Sequence, residues 1–189
     1  NALSNQNRVS FVVPGGTTPG PVFDSLCAAD IDWERVDIML SDERWVPSSS
    51  ERSNTRLLEW RLLVDRASKA RLVPLYLPYE TPEEAMDKLT QECSCVFPIS
   101  VLLLGMGADM HTASLFPGAD QLDLALSNDA PVLVPMRSPD VSEPRITLSA
   151  PFLNGALKKH LIIFGQEKRS AFENAQTLPH KEAPVAAIL

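Results

Sequence analysis

A glycine-rich turn near the middle of the chain carries a carboxylate and an imidazole close together. It begins at Gly105, directly after residues 100–104, an apolar run that is typical of a buried strand. Gly105 and Gly107 let the backbone turn tightly and approach a ligand, because neither has a Cβ. Asp109 and His111 follow, and a histidine beside a carboxylate can work as a general acid or base. We interpret this turn as the edge of an active site at the end of a strand. The alternative is a plain turn with an incidental histidine.

A second glycine turn could hold an anion. Residues 9–13 are β-branched and aromatic, which predicts a strand, and Gly15 and Gly16 follow it. We expect Thr18 to cap a helix whose first residue is Pro19. A glycine pair between a strand and the start of a helix gathers backbone N–H groups around an anion. The same pattern also forms an ordinary connection between a strand and a helix.

An arginine follows the second predicted strand, residues 36–40. Arg44 could pair with a phosphate group through two parallel hydrogen bonds. Its neighbours Asp42 and Glu43 offer the alternative of a surface salt bridge, which is the commoner arrangement for an arginine among carboxylates. Residue types alone leave both interpretations open.

Strand-like and helix-like segments alternate along the rest of the chain. Further extended segments are predicted at residues 72–77, 131–136, 145–149 and 160–165, and further helices at residues 55–67, 81–93, 119–126, 151–157 and from residue 166. This alternation predicts an α/β fold with an open, mainly parallel sheet and helices on both faces. The loops that follow parallel strands share one edge of the sheet, where ligands bind in such folds. Those loops hold Gly15, Gly16, Arg44, Gly105, Gly107, His111 and Lys168.

Several expectations concern single residues. Trp60 lies at helical spacing among leucines, so we expect it in the core. The hydroxyls of Thr112 and Ser114 are of the kind that caps a helix, so we expect a helix to begin near them. His160 lies at a strand start and His180 lies in the polar tail, and we assign both structural roles.

The composition fits a single globular domain over residues 1–189, with 44% hydrophobic and 22% charged residues. No apolar run approaches the roughly 20 residues needed to cross a bilayer, so we expect no membrane partner. The net charge of −7 argues against a nucleic-acid partner, which requires a basic footprint. The three cysteines, with Cys93 and Cys95 as the one close pair, predict reduced thiols in a cytoplasmic protein. The chain does not begin with Met, which is consistent with a missing native N-terminus.

Several common catalytic motifs do not occur in the chain. There is no G-x-S-x-G elbow and no H-E-x-x-H motif, and Asp109 with His111 provides too few ligands for a metal site. Gly105 and Gly107 begin like a dinucleotide-binding fingerprint, but Met110 occupies the position of its third glycine. The chemistry that remains is a histidine acting as base or acid on an anionic substrate held by cations.

Five motifs, in their order and spacing, resemble the 6-phosphogluconolactonase family. The most specific is His-Thr-Ala-Ser-Leu-Phe-Pro at residues 111–117, within the run 105–118. The others are Gly-Gly-Thr-Thr-Pro at 15–19, Ser-Asp-Glu-Arg-Trp-Val-Pro at 41–47, Ser-Asn at 53–54 and Arg-Ile-Thr-Leu at 145–148. The resemblance covers most of the chain. It implies a Rossmann-like sheet and hydrolysis of 6-phosphoglucono-lactone to 6-phosphogluconate without a metal or cofactor. That reaction belongs to the oxidative pentose phosphate or Entner–Doudoroff route.

The resemblance also implies roles for single residues. His111 is the general base that activates water, and Arg44 binds the 6-phosphate, while Gly15 and Gly16 line the pocket. Asp109 either orients the imidazole or caps the backbone. The remaining candidates for substrate binding are Thr17, Asp42, Asn54, Arg137, Arg145 and Lys168. The expected partner is a small phosphosugar lactone, and the expected assembly is a monomer or homodimer.

Two departures from the family's pattern lead to further expectations. Met110 stands where the family has glycine, and we expect it to keep a negative φ and to pack against the apolar underside of the loop. Asp140 stands where the family has the lysine of a Ser-Pro-Lys-Pro segment. We expect a cation elsewhere to bind the phosphate instead, with Arg137 favoured, Arg145 second and Lys168 third. We also expect the family's leading helix to be absent or incomplete.

Two other functions stay open. The glucosamine-6-phosphate deaminase/isomerase family is similar in its glycine and Asp-x-His loops, but its histidine precedes Asn-Glu-Pro, whereas residues 114–117 here are Ser-Leu-Phe-Pro. It also has Asp-Glu-Tyr where this chain has Asp42, Glu43 and Arg44. A non-catalytic phosphosugar sensor is the other alternative, although a sensor would not need His111.

Overall fold

The computed structural model of the chain describes residues 2–139 and 141–189. The strands are β1 (Val9–Val13), β2 (Val36–Leu40), β3 (Asp42–Arg44), β4 (Arg71–Val73), β5 (Val101–Gly105), β6 (Leu133–Met136), β7 (Arg145–Leu148) and β8 (Lys159–Ile162). The helices are α1 (Ala2–Asn5), α2 (Gly20–Leu26), α3 (Asn54–Arg61), α4 (Pro82–Cys93), α5 (Leu122–Leu126), α6 (Ala150–Asn154) and α7 (Gln166–Ala175). Short 3₁₀ helices occur at Trp33–Arg35, Asp65–Lys69, Ser94–Val96 and Pro184–Ala187.

Five strands form a parallel sheet in the order β4-β2-β1-β5-β8. The predicted α/β fold with a mainly parallel sheet is therefore confirmed. The chain builds this sheet from β1 through β2 to β4, then returns to the other side of β1 and continues from β5 to β8. The direction of building reverses between β1 and β5, and ligands bind beyond the carboxyl ends of the strands at such a point.

Burial of the strands follows their position in the sheet. All five residues of β2 are buried, and so are all residues of β1 except Phe11, which is half-buried. β8 was expected to be buried, but it lies at the sheet edge, and its residues are exposed or half-buried. β4 lies at the opposite edge and has three residues, of which Leu72 and Val73 fall in the extended segment predicted over residues 72–77.

A second sheet, antiparallel and ordered β3-β7-β6, is joined to the first through Ser41. The Ser41 N–H donates to Val13 O at 2.8 Å, and its carbonyl accepts from Leu148 N at 2.9 Å. Arg44 was expected in a loop, but it is the last residue of β3 and lies directly opposite Arg145 of β7. This small sheet therefore brings together two arginines that are far apart in the sequence.

The helix predicted over residues 55–67 is shorter than expected. α3 begins at Asn54 because Ser53 caps it, with Ser53 Oγ accepting from Arg56 N at 3.2 Å. Trp60 is 67% exposed, so the prediction that it lies in the core is wrong. Its ring instead packs against the Arg56 guanidinium, 4.1 Å from the ring centroid.

The other helices agree with prediction to different degrees. α2 begins at Gly20 with Pro19 as its N-cap, and no side chain caps it, so the expected role of Thr18 is wrong. α4 and α7 lie where the sequence predicts them, whereas α5 and α6 are single short turns. Within the described ranges, no helix is both long and apolar enough to cross a membrane.

Candidate active site

A cavity of about 400 Å³ opens beyond the carboxyl ends of the central strands, where the direction of sheet building reverses. Its lining contains most of the residues predicted to act on a substrate: Gly15, Gly16, Thr17, Asp42, Arg44, Asn54, His111, Arg145 and Lys168. Asp109 contacts His111. The parallel arrangement of the strands therefore brings these loops to one edge of the sheet.

A larger cavity of about 650 Å³ lies on one face of the central sheet. Its lining is mainly apolar and includes Phe11, Trp33 and Leu103. The polar side chains that line it, among them Asp32 and His160, are few. The groups that could do chemistry are therefore concentrated in the smaller cavity.

The imidazole of His111 is oriented by Asp109. The distance from His111 Nδ1 to Asp109 Oδ1 is 2.6 Å, and the same oxygen accepts the backbone N–H of His111 at 3.3 Å. The hydrogen bond from His111 holds the pKa of Asp109 below its ordinary value, so the carboxylate is ionised at neutral pH. It therefore accepts a hydrogen bond from the N–H group at Nδ1. Nε2 is then the nitrogen with a free lone pair, which a general base requires. The side chain of His111 is 30% exposed, so water can reach it.

The backbone around His111 adopts a conformation that favours glycine. Met110 has a φ of +63° and Ala113 a φ of +50°, so the prediction of a negative φ at Met110 is wrong. The tight turn explains this, because Met110 N donates to Gly107 O at 3.2 Å and Gly107 N donates to His111 O at 3.0 Å. The Met110 side chain packs on a small buried cluster of Met106, Ala175, Ala183 and Val185, so its contact is apolar as expected, but most of that cluster belongs to the C-terminal segment and not to the loop.

The two hydroxyl residues after His111 fix the loop instead of capping a helix. The next helix, α5, begins only at Leu122, so the expected capping roles are wrong. Thr112 Oγ1 donates to Gly105 O at 2.8 Å, and Ser114 Oγ donates to Asp42 Oδ2 at 2.6 Å. These bonds tie the His111 loop to the end of β5 and to the start of β3.

Two glycines are required by close contacts in the cavity wall. A Cβ at Gly15 would lie 2.1 Å from Asn54 Cγ, and a Cβ at Gly107 would lie 2.3 Å from His111 Nδ1 and from Asp109 Oδ1. A larger residue at either position would therefore displace a side chain of the site.

Arg44 and Arg145 face each other across β3 and β7. Like charges directly opposite each other on neighbouring strands are destabilising. Arg44 Nη1 donates to the carbonyl of Arg52 and, at 3.5 Å, to Asn54 Oδ1. The Nε atoms of both opposed arginines are buried and have no hydrogen-bond partner among the residues that the structure describes. Arg145 is only 7% exposed, and burial lowers the pKa of its guanidinium.

The sequence predicts two further cations for the site, Lys168 and Arg137, and of these only Lys168 lines the cavity. Lys168 lies in α7, and its Nζ donates to Met106 O at 2.7 Å. Arg137 is instead paired with Glu83 of α4, with Nη1 to Oε1 at 2.6 Å and Nη2 to Oε2 at 3.0 Å. The structure therefore does not support the preference for Arg137 as the phosphate-binding cation. Asp140, expected in place of the family's lysine, lies outside the described residues.

Two residues near the site were not singled out from the sequence. The Phe116 ring lies 4.6 Å from the His111 ring, centroid to centroid, and 5.7 Å from the Arg145 guanidinium carbon. Glu43 is completely buried beside Arg44 and forms no salt bridge with it, although both residues are described. Both residues belong to motifs that carry the family resemblance, and that resemblance is the sequence signal that could have identified them.

The comparisons with known proteins agree with one another. Residues 1–189 match a family model described as glucosamine-6-phosphate isomerases/6-phosphogluconolactonase. The chain is 38% identical over 192 residues to the 6-phosphogluconolactonase of Pseudomonas aeruginosa, covering 100% of this chain and 81% of that protein. A solved 6-phosphogluconolactonase from Shewanella baltica OS155 superposes with a TM-score of 0.94 at 35% identity, covering 99% of this chain and 81% of that one. For the enzyme from Thermotoga maritima the TM-score is 0.80 at 30% identity, with coverages of 97% and 83%.

Proposed function

Because this chain belongs to the family of glucosamine-6-phosphate isomerases and 6-phosphogluconolactonases, we infer that it hydrolyses 6-phosphoglucono-lactone to 6-phosphogluconate. It is a carboxylic ester hydrolase of carbohydrate metabolism, and the reaction is a step of the pentose phosphate pathway. The relatives reported above are named for this activity, and none of them is named for a deaminase. The lactonase interpretation is therefore preferred over the deaminase and sensor alternatives.

The catalytic part of the proposal is carried by the 2.6 Å contact between His111 Nδ1 and Asp109 Oδ1. His111 Nε2 takes a proton from a water molecule while the water oxygen attacks C1 of the lactone. The bond from C1 to the ring oxygen then breaks, and His111 returns the proton to that oxygen, which becomes the C5 hydroxyl. A positioned base of this kind contributes about 10²- to 10⁴-fold to the rate.

The phosphate is bound by Arg44, Arg145 and Lys168. A dianion placed between the two opposed arginines offsets their mutual repulsion and accepts charge-assisted hydrogen bonds from their guanidinium groups. A local concentration of cations is needed, because the protein as a whole carries a net charge of −7. The planar guanidinium of an arginine can also donate two parallel hydrogen bonds to phosphate oxygens.

Other groups of the cavity are left to bind the sugar. Asp42 and Asn54 present a carboxylate and an amide to the cavity, and Thr17 adds a hydroxyl. The proposal involves no metal and no cofactor. Among the described residues, no group of three or more His, Cys, Asp or Glu side chains is placed to hold a metal ion. We place the reaction in the cytoplasm, since the three cysteines are free thiols of the kind found in a reducing compartment.

Lactone hydrolysis coupled to the oxidation of 6-phosphogluconate tests the function, with the spontaneous rate subtracted. We expect turnover well above that rate, and a KM for the phosphorylated lactone about 10- to 100-fold below that for glucono-lactone, because charge-assisted contacts to the phosphate are lost in the latter. A rate equal to the spontaneous one would reject the proposal. Release of ammonia from glucosamine 6-phosphate would favour the deaminase alternative instead.

A further inference from the structure

Glu43 is a completely buried carboxylate that the proposed mechanism does not use. Its Oε1 accepts from Arg44 N at 2.7 Å and from Asn54 N at 2.8 Å. Its Oε2 accepts from Thr55 N at 2.7 Å, Thr55 Oγ1 at 2.8 Å and Ser53 Oγ at 3.1 Å. Glu43 is not part of the cavity lining, so it does not contact a substrate there.

The surroundings of Glu43 suit its ionised form. Burial raises the pKa of Glu43 above its ordinary value. Three of its five partners are backbone N–H groups, which can only donate, and a carboxylate has more acceptor capacity for them than a protonated acid has. Two of these, Asn54 N and Thr55 N, lie in the first turn of α3, where the helix dipole also favours a negative charge.

Capping α3 does not by itself require a buried carboxylate at this position. Ser53 already caps the helix through its Oγ, which accepts from Arg56 N. Glu43 accepts from the first two N–H groups of α3, but such groups are commonly satisfied by hydroxyl side chains or water, and burying a charge is costly unless hydrogen bonds compensate it. What Glu43 adds beyond capping is a link between the end of β3 and the start of α3, since its Oε1 binds Arg44 N and Asn54 N together.

That link holds the side chain of Arg44 as well as its backbone. Asn54 Nδ2 donates to Asp42 O at 3.1 Å, and Asn54 Oδ1 accepts from Arg44 Nη1 at 3.5 Å. We propose that Glu43 is a positioning residue, which fixes Arg44 directly and through Asn54 so that the guanidinium meets the substrate's phosphate. This inference rests on the proposed function, because Arg44 is assigned there to phosphate binding.

The test compares Glu43→Gln with a control variant at another buried carboxylate. The amide introduced by Glu43→Gln is not a clean acceptor for five donors, because its N–H₂ group faces groups that also donate. Asp37 is the matched control: it is buried, pairs with Arg8 at 2.6 Å and Arg71 at 2.8 Å, and lies outside the cavity lining. Asp37→Asn should therefore lower stability without changing the substrate site.

For each variant, kcat and KM for 6-phosphoglucono-lactone are measured together with the Kd of 6-phosphogluconate and the thermal midpoint. We expect Glu43→Gln to raise KM and Kd about tenfold, equivalent to about 1.4 kcal/mol, with kcat nearly unchanged. Asp37→Asn should lower the midpoint but leave kcat, KM and Kd unchanged. In an Arg44→Ala background, Glu43→Gln should add less than about twofold to KM, because both changes act on one contact.

Several outcomes would overturn the proposal. The first is a Glu43→Gln variant that loses stability but keeps the wild-type KM and Kd, as the control variant does. The second is a tenfold rise in KM on Glu43→Gln that persists in the Arg44→Ala background. If Glu43→Gln does not fold, Glu43→Asp keeps the charge but withdraws the carboxylate from Arg44 N and Asn54 N, and an unchanged KM in that variant would also overturn the proposal. A wild-type chain that neither hydrolyses the lactone nor binds 6-phosphogluconate would overturn the proposed function and this inference together. Normal wild-type activity with a silent Glu43→Gln variant would overturn this inference alone.

Discussion

The wall of the cavity that carries Arg44 and the loop that carries His111 are held in place by different means. Around Arg44, hydrogen bonds between residues close in sequence converge on one buried carboxylate, Glu43. His111 instead lies between Met110 and Ala113, which both have a positive φ. For residues other than glycine, that conformation costs about 1–2 kcal/mol each.

The His111 loop is held by contacts from a distant part of the chain. Val185 N donates to Met110 O at 3.1 Å, and the Met110 side chain packs on the cluster of Met106, Ala175, Ala183 and Val185. These contacts offset the cost of the positive φ, which persists only when the surroundings determine it. The comparison indicates that the hydrogen bonds on Glu43 come from residues nearby in the sequence, although β3 itself pairs with the distant β7, whereas the catalytic loop depends on the C-terminal segment.

The largest expected effect comes from removing the base. His111→Asn should fold normally and lower kcat by about 10²- to 10⁴-fold, because the amide cannot take a proton from water. KM should change little, since the arginines remain. The coupled assay measures both, and binding of 6-phosphogluconate controls for the fold of the site. A variant with near wild-type turnover above the spontaneous rate would show that another group is the base.

A smaller effect is expected from the opposite wall. Arg145→Met should raise KM for the phosphorylated lactone about 10- to 100-fold, through loss of a charge-assisted contact, and leave kcat nearly unchanged. The KM for the unphosphorylated lactone should rise much less, because that substrate has no phosphate for Arg145 to bind. Arg137→Met is the matched control and should change neither constant, because Arg137 pairs with Glu83 away from the cavity. The reverse ranking of the two arginines would restore Arg137 as the phosphate-binding residue.

Asp109→Asn tests whether the catalytic loop orients its own base. We expect kcat to fall about 10- to 100-fold, because the Nδ1 proton loses its carboxylate acceptor and the tautomer is no longer fixed. The hydrogen bond that lowers the pKa of Asp109 is present above the ordinary pKa of an aspartate and is lost as pH falls through the lowered value. In thermal unfolding, the wild type should therefore lose its stability advantage over Asp109→Asn only in acid. An advantage that vanished at neutral pH would contradict this assignment.

The smallest expected effect measures the cost of the positive φ at Met110 separately from the loss of its side-chain packing. Met110→Gly and Met110→Ala both lose the apolar contact, but only glycine adopts a positive φ at little cost. We therefore expect the glycine variant to be more stable than the alanine variant by about 1 kcal/mol, measured by denaturant unfolding. A more stable alanine variant would indicate a negative φ at this position.

The sequence was sufficient to predict the central sheet and most of the cavity. β1, β2 and β5 are apolar runs, and in a parallel sheet the loops that follow such strands must meet at one edge. Gly15, His111 and Lys168 could be assigned to that edge before any contact was known. Trp60 is exposed because it lies two residues from Leu58 and two from Leu62, roughly 200° around the helix from each of these buried leucines.

The remaining features depend on contacts between distant parts of the chain. β3 is three polar residues long and has no strand-like pattern, so its pairing with β7, and hence the opposition of Arg44 and Arg145, could not be predicted. The positive φ of Met110 belongs to a tight turn between Gly107 and His111, and that turn is also contacted by Val185 N, far along the chain. The pairing of Arg137 with Glu83 of α4, which argues against the preference for Arg137, is also a tertiary contact.

A structure of the wild-type chain with 6-phosphogluconate bound tests the central claim most directly, because it shows how the ligand spans the two walls. We predict phosphate oxygens within about 2.7–3.2 Å of guanidinium nitrogens of Arg44 and Arg145. The C1 carboxylate should lie within hydrogen-bond reach of His111 Nε2, directly or through one water molecule. A phosphate bound at Arg137, or a C1 group that points away from His111, would contradict the account.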